Sequence, residues 1–127
     1  MEATAYARFQ RFGARKVAQV LQEIRGKSVL QAEQMLPLIP RACGRMIAKI
    51  VRSAAANLTI KARLAGKALV TERVYIKSCW AGLGPMGQMR RVMPAPQGRA
   101  NTFKRKVCHV TVVVSDQAAG LPDEAGR

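Results

Sequence analysis

The sequence predicts an α+β fold, in which a small body of three helices packs on a short antiparallel sheet and carries a long extended β-hairpin. Amphipathic helical periodicity recurs through the first half of the chain, and two β-prone segments follow in the second half. The interval between those segments is rich in Gly and Pro and lacks helical periodicity. Because 127 residues is a usual size for one domain, we assign residues 1–116 to a single domain. Residues 117–127 are small, polar and partly acidic, and we expect them to form a disordered tail.

The first helix has the clearest helical pattern. After a brief strand predicted over residues 4–9, Gly13 opens a helix that Arg25 and Gly26 close. Its apolar residues recur at i, i+3, i+4 and i+7, at Val17, Val20, Leu21 and Ile24. This spacing predicts one buried face.

Two more helices are predicted from capping and periodicity. Ser28 and Gln31 have the spacing of a capping box, which opens a short helix that Pro37 and Pro40 end. The longest helix is predicted over residues 41–57, because its apolar residues fall on one side, and residues 59–67 are predicted to be a linker. Aromatic residues make up only 5% of the chain, so aliphatic side chains and Met must fill the core.

The second half of the chain predicts a hairpin. Residues 69–80 form a strand with Val74 and Ile76 on one face and Tyr75 and Lys77 on the other, and residues 106–114 form its partner. The hairpin then covers residues 69–114, with its tip at about 82–98. Half of its 46 residues, at about 3.3 Å each, would span up to roughly 75 Å, well past the radius of the body. Such an arm needs a partner to lie on.

Charge predicts what that partner is. The chain has 22 Lys and Arg against 7 Asp and Glu, which gives a formal net charge of +15 and a pI near 11.1. No acid occurs between Glu33 and Glu72, and none from Arg73 to Ser115. This balance predicts a polyanionic partner, and the phosphates of RNA fit it.

Basic side chains in three places are candidate RNA contacts. The first set surrounds the start of the first helix, where a bound phosphate is favourable, and comprises Arg8, Arg11, Arg15 and Lys16. The second set is a stripe on the longest helix, confined to roughly 80° of its circumference, and comprises Arg41, Arg45, Lys49 and Arg52. A merely solvated helix face would normally include acids. Eight bases follow the arm, namely Arg73, Lys77, Arg90, Arg91, Arg99, Lys104, Arg105 and Lys106, and five of them form the third set, namely Lys77, Arg99, Lys104, Arg105 and Lys106.

The motifs of an enzyme are missing. Gly82, Gly84 and Gly87 spell GxGxxG, but Pro85 disfavours the helix that would hold a pyrophosphate, and the acid that a dinucleotide site needs does not occur before Asp116. No P-loop, catalytic carboxylate pair or metal cluster is present in the sequence. We therefore predict a protein that is not an enzyme and that has no cofactor and no metal.

The cysteines do not suggest chemistry either. Cys108 and His109 are neighbours in a strand, so they point to opposite faces and cannot pair as nucleophile and base. The three cysteines lack paired spacing, which supports neither a disulfide framework nor a zinc site. No stretch approaches the roughly 18 apolar residues of a membrane span, and the N-terminus lacks a secretory apolar region. We expect no membrane contact and no homo-oligomer.

Four segments resemble the family of the twenty-second protein of the large ribosomal subunit, in its bacterial and plastid form. They are ARKVAQVLQEIRGKSV, RACGRMIAKIVRSAAAN, GPMGQMRRVMPAPQGRA and KRKVCHVTVVVSD, in this order and with this spacing. The resemblance implies a body on the outside of the subunit and a hairpin that passes inward between rRNA domains. It also implies that the tip lines the polypeptide exit tunnel near the macrolide site. The partners would then be large-subunit rRNA, neighbouring ribosomal proteins and the nascent polypeptide.

The resemblance also assigns residues on the arm. The tip that faces the tunnel corresponds to Met89, Arg90, Arg91, Val92 and Met93, and the rRNA-contacting arm to Arg99, Lys104 and Arg105. The sequence departs from the family where two extra residues lie between Pro85 and Met89, and where Ala95-Pro96-Gln97 is less basic than usual.

The segments RAC, SAAAN and CHVT are most like plastid and cyanobacterial members, so we predict a plastid ribosome, with the bacterial cytoplasm as the alternative. The function expected from the resemblance is that of a structural constituent of the large subunit, which binds rRNA, supports assembly and shapes the tunnel wall. The alternative function is a free-standing basic protein that binds nucleic acid as an architectural or regulatory factor. The absence of a helix-turn-helix pattern makes this alternative the weaker one.

Overall fold

The computed structural model of the chain describes residues 1–69, 73–85, 87 and 90–116. The tail predicted over residues 117–127, and Met89 of the predicted tip, lie outside the described residues. The elements in chain order are β1 (Glu2–Gln10), α1 (Ala14–Ile24), α2 (Val29–Met35), α3 (Gly44–Leu64), β2 (Tyr75–Leu83), β3 (Arg90–Pro94), β4 (Ala100–Lys104) and β5 (Cys108–Ser115).

The body is an antiparallel three-stranded sheet, in the order β1-β5-β2, with the helices packed on one face. Alternate residues of the central strand, Val110, Val112 and Val114, are at most 1% exposed and form the core with side chains of all three helices. No Phe, Tyr or Trp is among the buried core residues of the described chain. The predicted α+β fold and the predicted aliphatic core are confirmed, but no Met is among the buried core residues of the described chain.

The first two helices agree with their predicted signals. α1 has Gly13 as its N-cap, and the backbone N–H of Arg25 donates to the carbonyl of Leu21 at its end. At α2, the Ser28 hydroxyl accepts from the backbone N–H of Gln31, while the Gln31 side chain accepts from the backbone N–H of Ser28. Two of the backbone N–H groups at this helix start are therefore satisfied by side chains.

The bounds predicted for the third helix and for the linker after it were wrong. α3 starts at Gly44 and continues to Leu64, so most of the predicted linker is helical. The helix continues because Leu58 and Ala62, one turn apart, extend its buried face onto the sheet. It ends where Gly66 adopts a positive φ of 65°, which glycine takes at little cost.

The hairpin is built from two separate ladders. β2 pairs with β5 inside the body, up to Leu83 opposite Cys108, and the backbone N–H of Gly84 donates to the carbonyl of Val107 at 2.8 Å just beyond. β3 and β4 then form their own two-stranded ladder, which starts with Arg90 opposite Lys104. The first strand of the pair begins at residue 75 and not at residue 69.

The free arm is shorter than predicted, because β1 also pairs with β5 and keeps the lower half of the hairpin in the body. The described residues between 84 and 107 remain outside the three-stranded sheet, and a leg of 12 residues spans at most about 40 Å. The turn that closes the arm lies at residues 95–99, where the N–H of Ala95 donates to the carbonyl of Arg99, and Gln97 and Gly98 have positive φ.

Candidate nucleic-acid interface

All thirteen side chains predicted to contact rRNA belong to exposed residues. The structure gathers seven of them, with one addition, into two clusters that have different origins. One cluster is built along a helix and the other where the arm leaves the body. The remaining predicted contacts lie apart from both.

The first cluster lines a cleft of about 740 Å³ between the α2–α3 connection and the outer side of α3, which we call the α3 cleft. Its apolar floor includes Leu36, Ile39 and Ala48, and its cationic wall is formed by Arg41, Arg45, Lys49 and Arg52. Arg41 precedes the first turn of α3 and still joins the wall. The predicted stripe therefore forms one continuous cationic surface.

One carboxylate reaches this wall. The Nε of Arg52 donates to Oε1 of Glu33 in α2 at 3.1 Å, and the two side chains are 67% and 31% exposed. A surface pair of this kind contributes little to stability. Its main effect is to offset one of the four positive charges of the α3 cleft.

The second cluster surrounds a cleft of about 340 Å³ at the base of the arm, which we call the arm cleft. It is lined by Val107 and by four cationic side chains from three separate segments, Arg11, Arg91, Arg105 and Lys106. The Arg105 guanidinium also lies over the Phe103 ring, 5.5 Å from its centre. Four cations around one small cleft, with no carboxylate among its described lining residues, suit a phosphate group.

Arg91 is the cation of this cluster that is not among the thirteen predicted rRNA contacts. The predicted position for Arg91 was the tip, whereas the structure puts it on the first leg of the arm, opposite Phe103. Only the register between β3 and β4 brings it to Arg105, and that register cannot be derived from the sequence pattern. Arg90, Val92 and Met93 are likewise along β3 and not in the turn.

The other predicted contacts are distributed around the surface. Arg8 lies at a bulge near the end of β1, while Arg15 and Lys16 belong to the first turn of α1, which contains no acid. Lys77 forms an ion pair with Glu2, so it is partly neutralised. Arg99 is at the closing turn of the arm and Lys104 at the end of β4.

The cysteine thiols are structural. Cys43, Cys79 and Cys108 are free and buried. Burial raises the pKa of the Cys79 and Cys108 thiols, although the Arg25 guanidinium partly opposes this at Cys79. Within the described residues, no group of His, Cys, Asp and Glu could hold a metal ion, and none of the helices is long and apolar enough to cross a membrane.

A family model described as Ribosomal protein L22p/L17e matches residues 5–115, which include every described helix and nearly all of the sheet. The chain belongs to the ribosomal protein L22p/L17e family. The resemblance found in its four sequence segments is thereby confirmed.

Curated members of the family align over most of this chain. The large ribosomal subunit protein uL22 of Pelotomaculum thermopropionicum is 39% identical over 120 residues, which are 94% of this chain and 100% of that protein. The uL22 of Pseudothermotoga lettingae is 41% identical over 90% of this chain and 77% of its own length. The uL22 of Clostridioides difficile is 38% identical over 92% of this chain and 99% of its own length. These organisms are bacteria, and the relatives give no support to a plastid source.

Proposed function

We propose that this protein is a structural constituent of the large ribosomal subunit that binds large-subunit rRNA, supports subunit assembly and catalyses no reaction. The family assignment supports a place in the large subunit. The observation that carries the rRNA contact is the pair of clefts, because eight cations line them and only one carboxylate, that of Glu33, bonds to any of these cations in the described structure.

The two clefts would bind RNA in different ways. The α3 cleft is a fixed surface, since its cations stand on and beside a helix packed into the core. The arm cleft joins segments that are distant in sequence, so a phosphate bound there would hold the segment after β1, the first leg of the arm and the connector before β5 together. Neutralised phosphates release counterions, which makes most of the affinity salt-dependent.

The arm suits a second role, in the wall of the exit tunnel. Val92 is 64% and Met93 55% exposed, on a ladder whose side chains are almost all exposed. Apolar side chains held outside the body in this way favour a partner that surrounds the arm. We propose that residues 92–99, beyond the arm cleft, reach the tunnel, where rRNA, neighbouring ribosomal proteins and the nascent polypeptide meet them.

For the compartment, the bacterial relatives favour the bacterial ribosome. The plastid prediction rests on three short segments alone. Immunogold labelling or fractionation of the source cell distinguishes the two compartments.

The test of this function is a salt series of binding to large-subunit rRNA by filter retention. A variant with Arg41, Arg45 and Lys49 replaced by Gln should lower the slope of log K against log salt by roughly 2 to 3, at about 0.7–0.9 for each phosphate that is no longer neutralised. The same decrease is expected for Arg91, Arg105 and Lys106. A matched control replaces Arg63, Lys67 and Arg73, which are exposed cations outside both clefts, and should change the slope much less.

The alternative function predicts a different result. A free-standing architectural or regulatory protein would bind random duplex DNA as tightly as rRNA at every salt concentration. Equal affinity for both, or equal decreases in slope from all three triple variants, would contradict the ribosomal assignment of the clefts. Co-sedimentation of the native protein with large subunits in high salt would support it.

A further inference from the structure

The three-stranded sheet has one face that the helices leave uncovered. Along β5, residues 108, 110, 112 and 114 point into the core, so residues 109, 111, 113 and 115 point to the other side. The helices contact the sheet through the core side, and within the described part of the chain no helix packs on the second side. We call this second side the open face.

Aromatic rings are concentrated on the open face. The register places Tyr6 of β1 and Trp80 of β2 opposite the same residue of β5, Thr111. Their attachment points are thus two strand spacings apart, about 10 Å. Tyr6 is 67% and Trp80 51% exposed, whereas Thr111 between them is 7% exposed. The Tyr6 and Trp80 rings therefore lie on either side of the buried Thr111 and are themselves accessible.

A second pair of rings lies next along the strands. The Phe9 ring meets the His109 ring edge to face, with ring centres 4.9 Å apart, and Phe9 is 63% exposed. The backbone N–H of Phe9 donates to Nδ1 of His109 at 3.0 Å. The neutral imidazole therefore has its proton on Nε2, where it can donate to a ligand. The rings of Tyr6, Trp80, Phe9 and His109 thus lie on the same sheet face.

These rings do not serve the core. The buried core of the described chain is aliphatic apart from cysteines. None of the six Phe, Tyr and Trp residues of the sequence is part of it. Large apolar rings grouped in solvent, on the face that no helix of the described chain covers, mark a binding surface.

The charges around the open face indicate which kind of ligand binds there. Arg8 lies beside Phe9 at the bulge that ends β1, and no carboxylate of the described open face is left unpaired, since Glu2 bonds to Lys77 and Asp116 to the N-terminal ammonium. The ligand must then offer flat π faces together with negative charge. Unpaired RNA bases on their phosphate backbone have both properties, and sheets with exposed aromatics bind them by stacking.

We propose that the open face is a stacking surface for unpaired nucleotides, on which Tyr6 and Trp80 each take one base and the His109 Nε2–H donates to the RNA. This proposal rests on the proposed rRNA-binding function and adds a second kind of contact to it. The clefts bind phosphate by charge, whereas the open face binds bases through π contact. Stacking releases few counterions, so its contribution is nearly independent of salt.

Trp80 provides the probe, because it is the single Trp of the chain. Its fluorescence should be quenched when the protein is titrated with single-stranded oligoadenylate, and should change little with inorganic polyphosphate, which has charge and no bases. W80L should weaken oligoadenylate binding roughly five- to 150-fold, in line with the measured range for losing one stacked base, without changing the salt slope. W80F keeps a ring and should retain most of the affinity.

The matched control is L83A. Leu83 is 68% exposed on the same strand, but it lies opposite Cys108, a core-facing position. Wild-type oligoadenylate affinity in W80L, or a loss equal to that in L83A, would overturn the proposal. So would Trp80 fluorescence that ignores naked rRNA and responds only in reconstituted subunits, because the face would then meet a protein. Failure of the proposed function is a separate outcome, in which the wild-type protein itself shows no preference for rRNA.

Discussion

Replacing Glu33 with Gln should make the protein bind rRNA more tightly. Glu33 is the carboxylate that bonds to the wall of the α3 cleft, through the Nε of Arg52 at 3.1 Å. Gln keeps the size and the hydrogen-bonding oxygen of Glu and removes its charge. Arg52 then becomes available to a phosphate, as Arg45 and Lys49 already are.

The magnitude follows from counterion release. One more neutralised phosphate steepens the slope of log K against log salt by about 0.7–0.9, which amounts to roughly five- to eightfold tighter binding at 0.1 M salt. The gain should vanish as the salt concentration approaches 1 M. Folding stability should barely change, because the ion pair is at the surface.

Filter binding to large-subunit rRNA across a salt series measures this gain. E23Q is the matched control, since Glu23 is an exposed acid of α1 without an ion pair in the described structure, and the change in net charge is the same. The double variant E33Q/R52Q should lose the gain. If E23Q improves binding as much as E33Q, the effect comes from net charge and not from the release of Arg52, which would contradict the prediction.

Three other changes test the fold. G84A adds a methyl group 2.9 Å from the side chain and 3.1 Å from the carbonyl oxygen of Val107 on the opposite leg. It should lower the free energy of unfolding, measured by thermal denaturation, by about 1–3 kcal/mol. In the control G82A the added methyl meets nothing within 4 Å, so stability should not change. I47A removes a fully buried side chain of α3 and should lower the urea unfolding free energy by about 2–5 kcal/mol, and a smaller loss would mean a looser core. Because burial raises the folded pKa of the Cys79 and Cys108 thiols, these thiols ionise first in the unfolded chain. Their contribution to the unfolding free energy should be constant below pH 9.0 and should fall above it, which urea titrations at alkaline pH measure; a flat alkaline profile would contradict the burial.

The elements with local signals were predictable from the sequence. α1 has a helical apolar spacing and α2 a capping box, and both signals act within one or two turns. The end of α3 had no such signal. The helix was predicted to end at residue 57, but the Asn57 side chain donates to the carbonyl of Thr4 across the interface with β1 at 3.1 Å, inside a helix that continues. Tertiary packing, and not local preference, decided this boundary.

The candidate site was predictable in its residues and not in its grouping. Each cation was identified from charge alone, yet Arg91 joins Arg105 only through the register of β3 and β4. The open face was missed altogether, because its rings stand at positions 6, 9, 80 and 109. They become neighbours only when β5 inserts between β1 and β2. Long-range strand order leaves no trace in a local pattern.

The two legs of the arm are unequal where the ladders separate. Six residues, 84–89, lie between Leu83 and Arg90, whereas three, 105–107, lie between Lys104 and Cys108. In an unbroken ladder, one inserted residue would turn every following side chain to the wrong side of the sheet. Because β3 and β4 form a ladder separate from the sheet of the body, such a change is confined to the outer ladder. The length and direction of the arm can therefore change while every valine of the central strand keeps its position in the sheet.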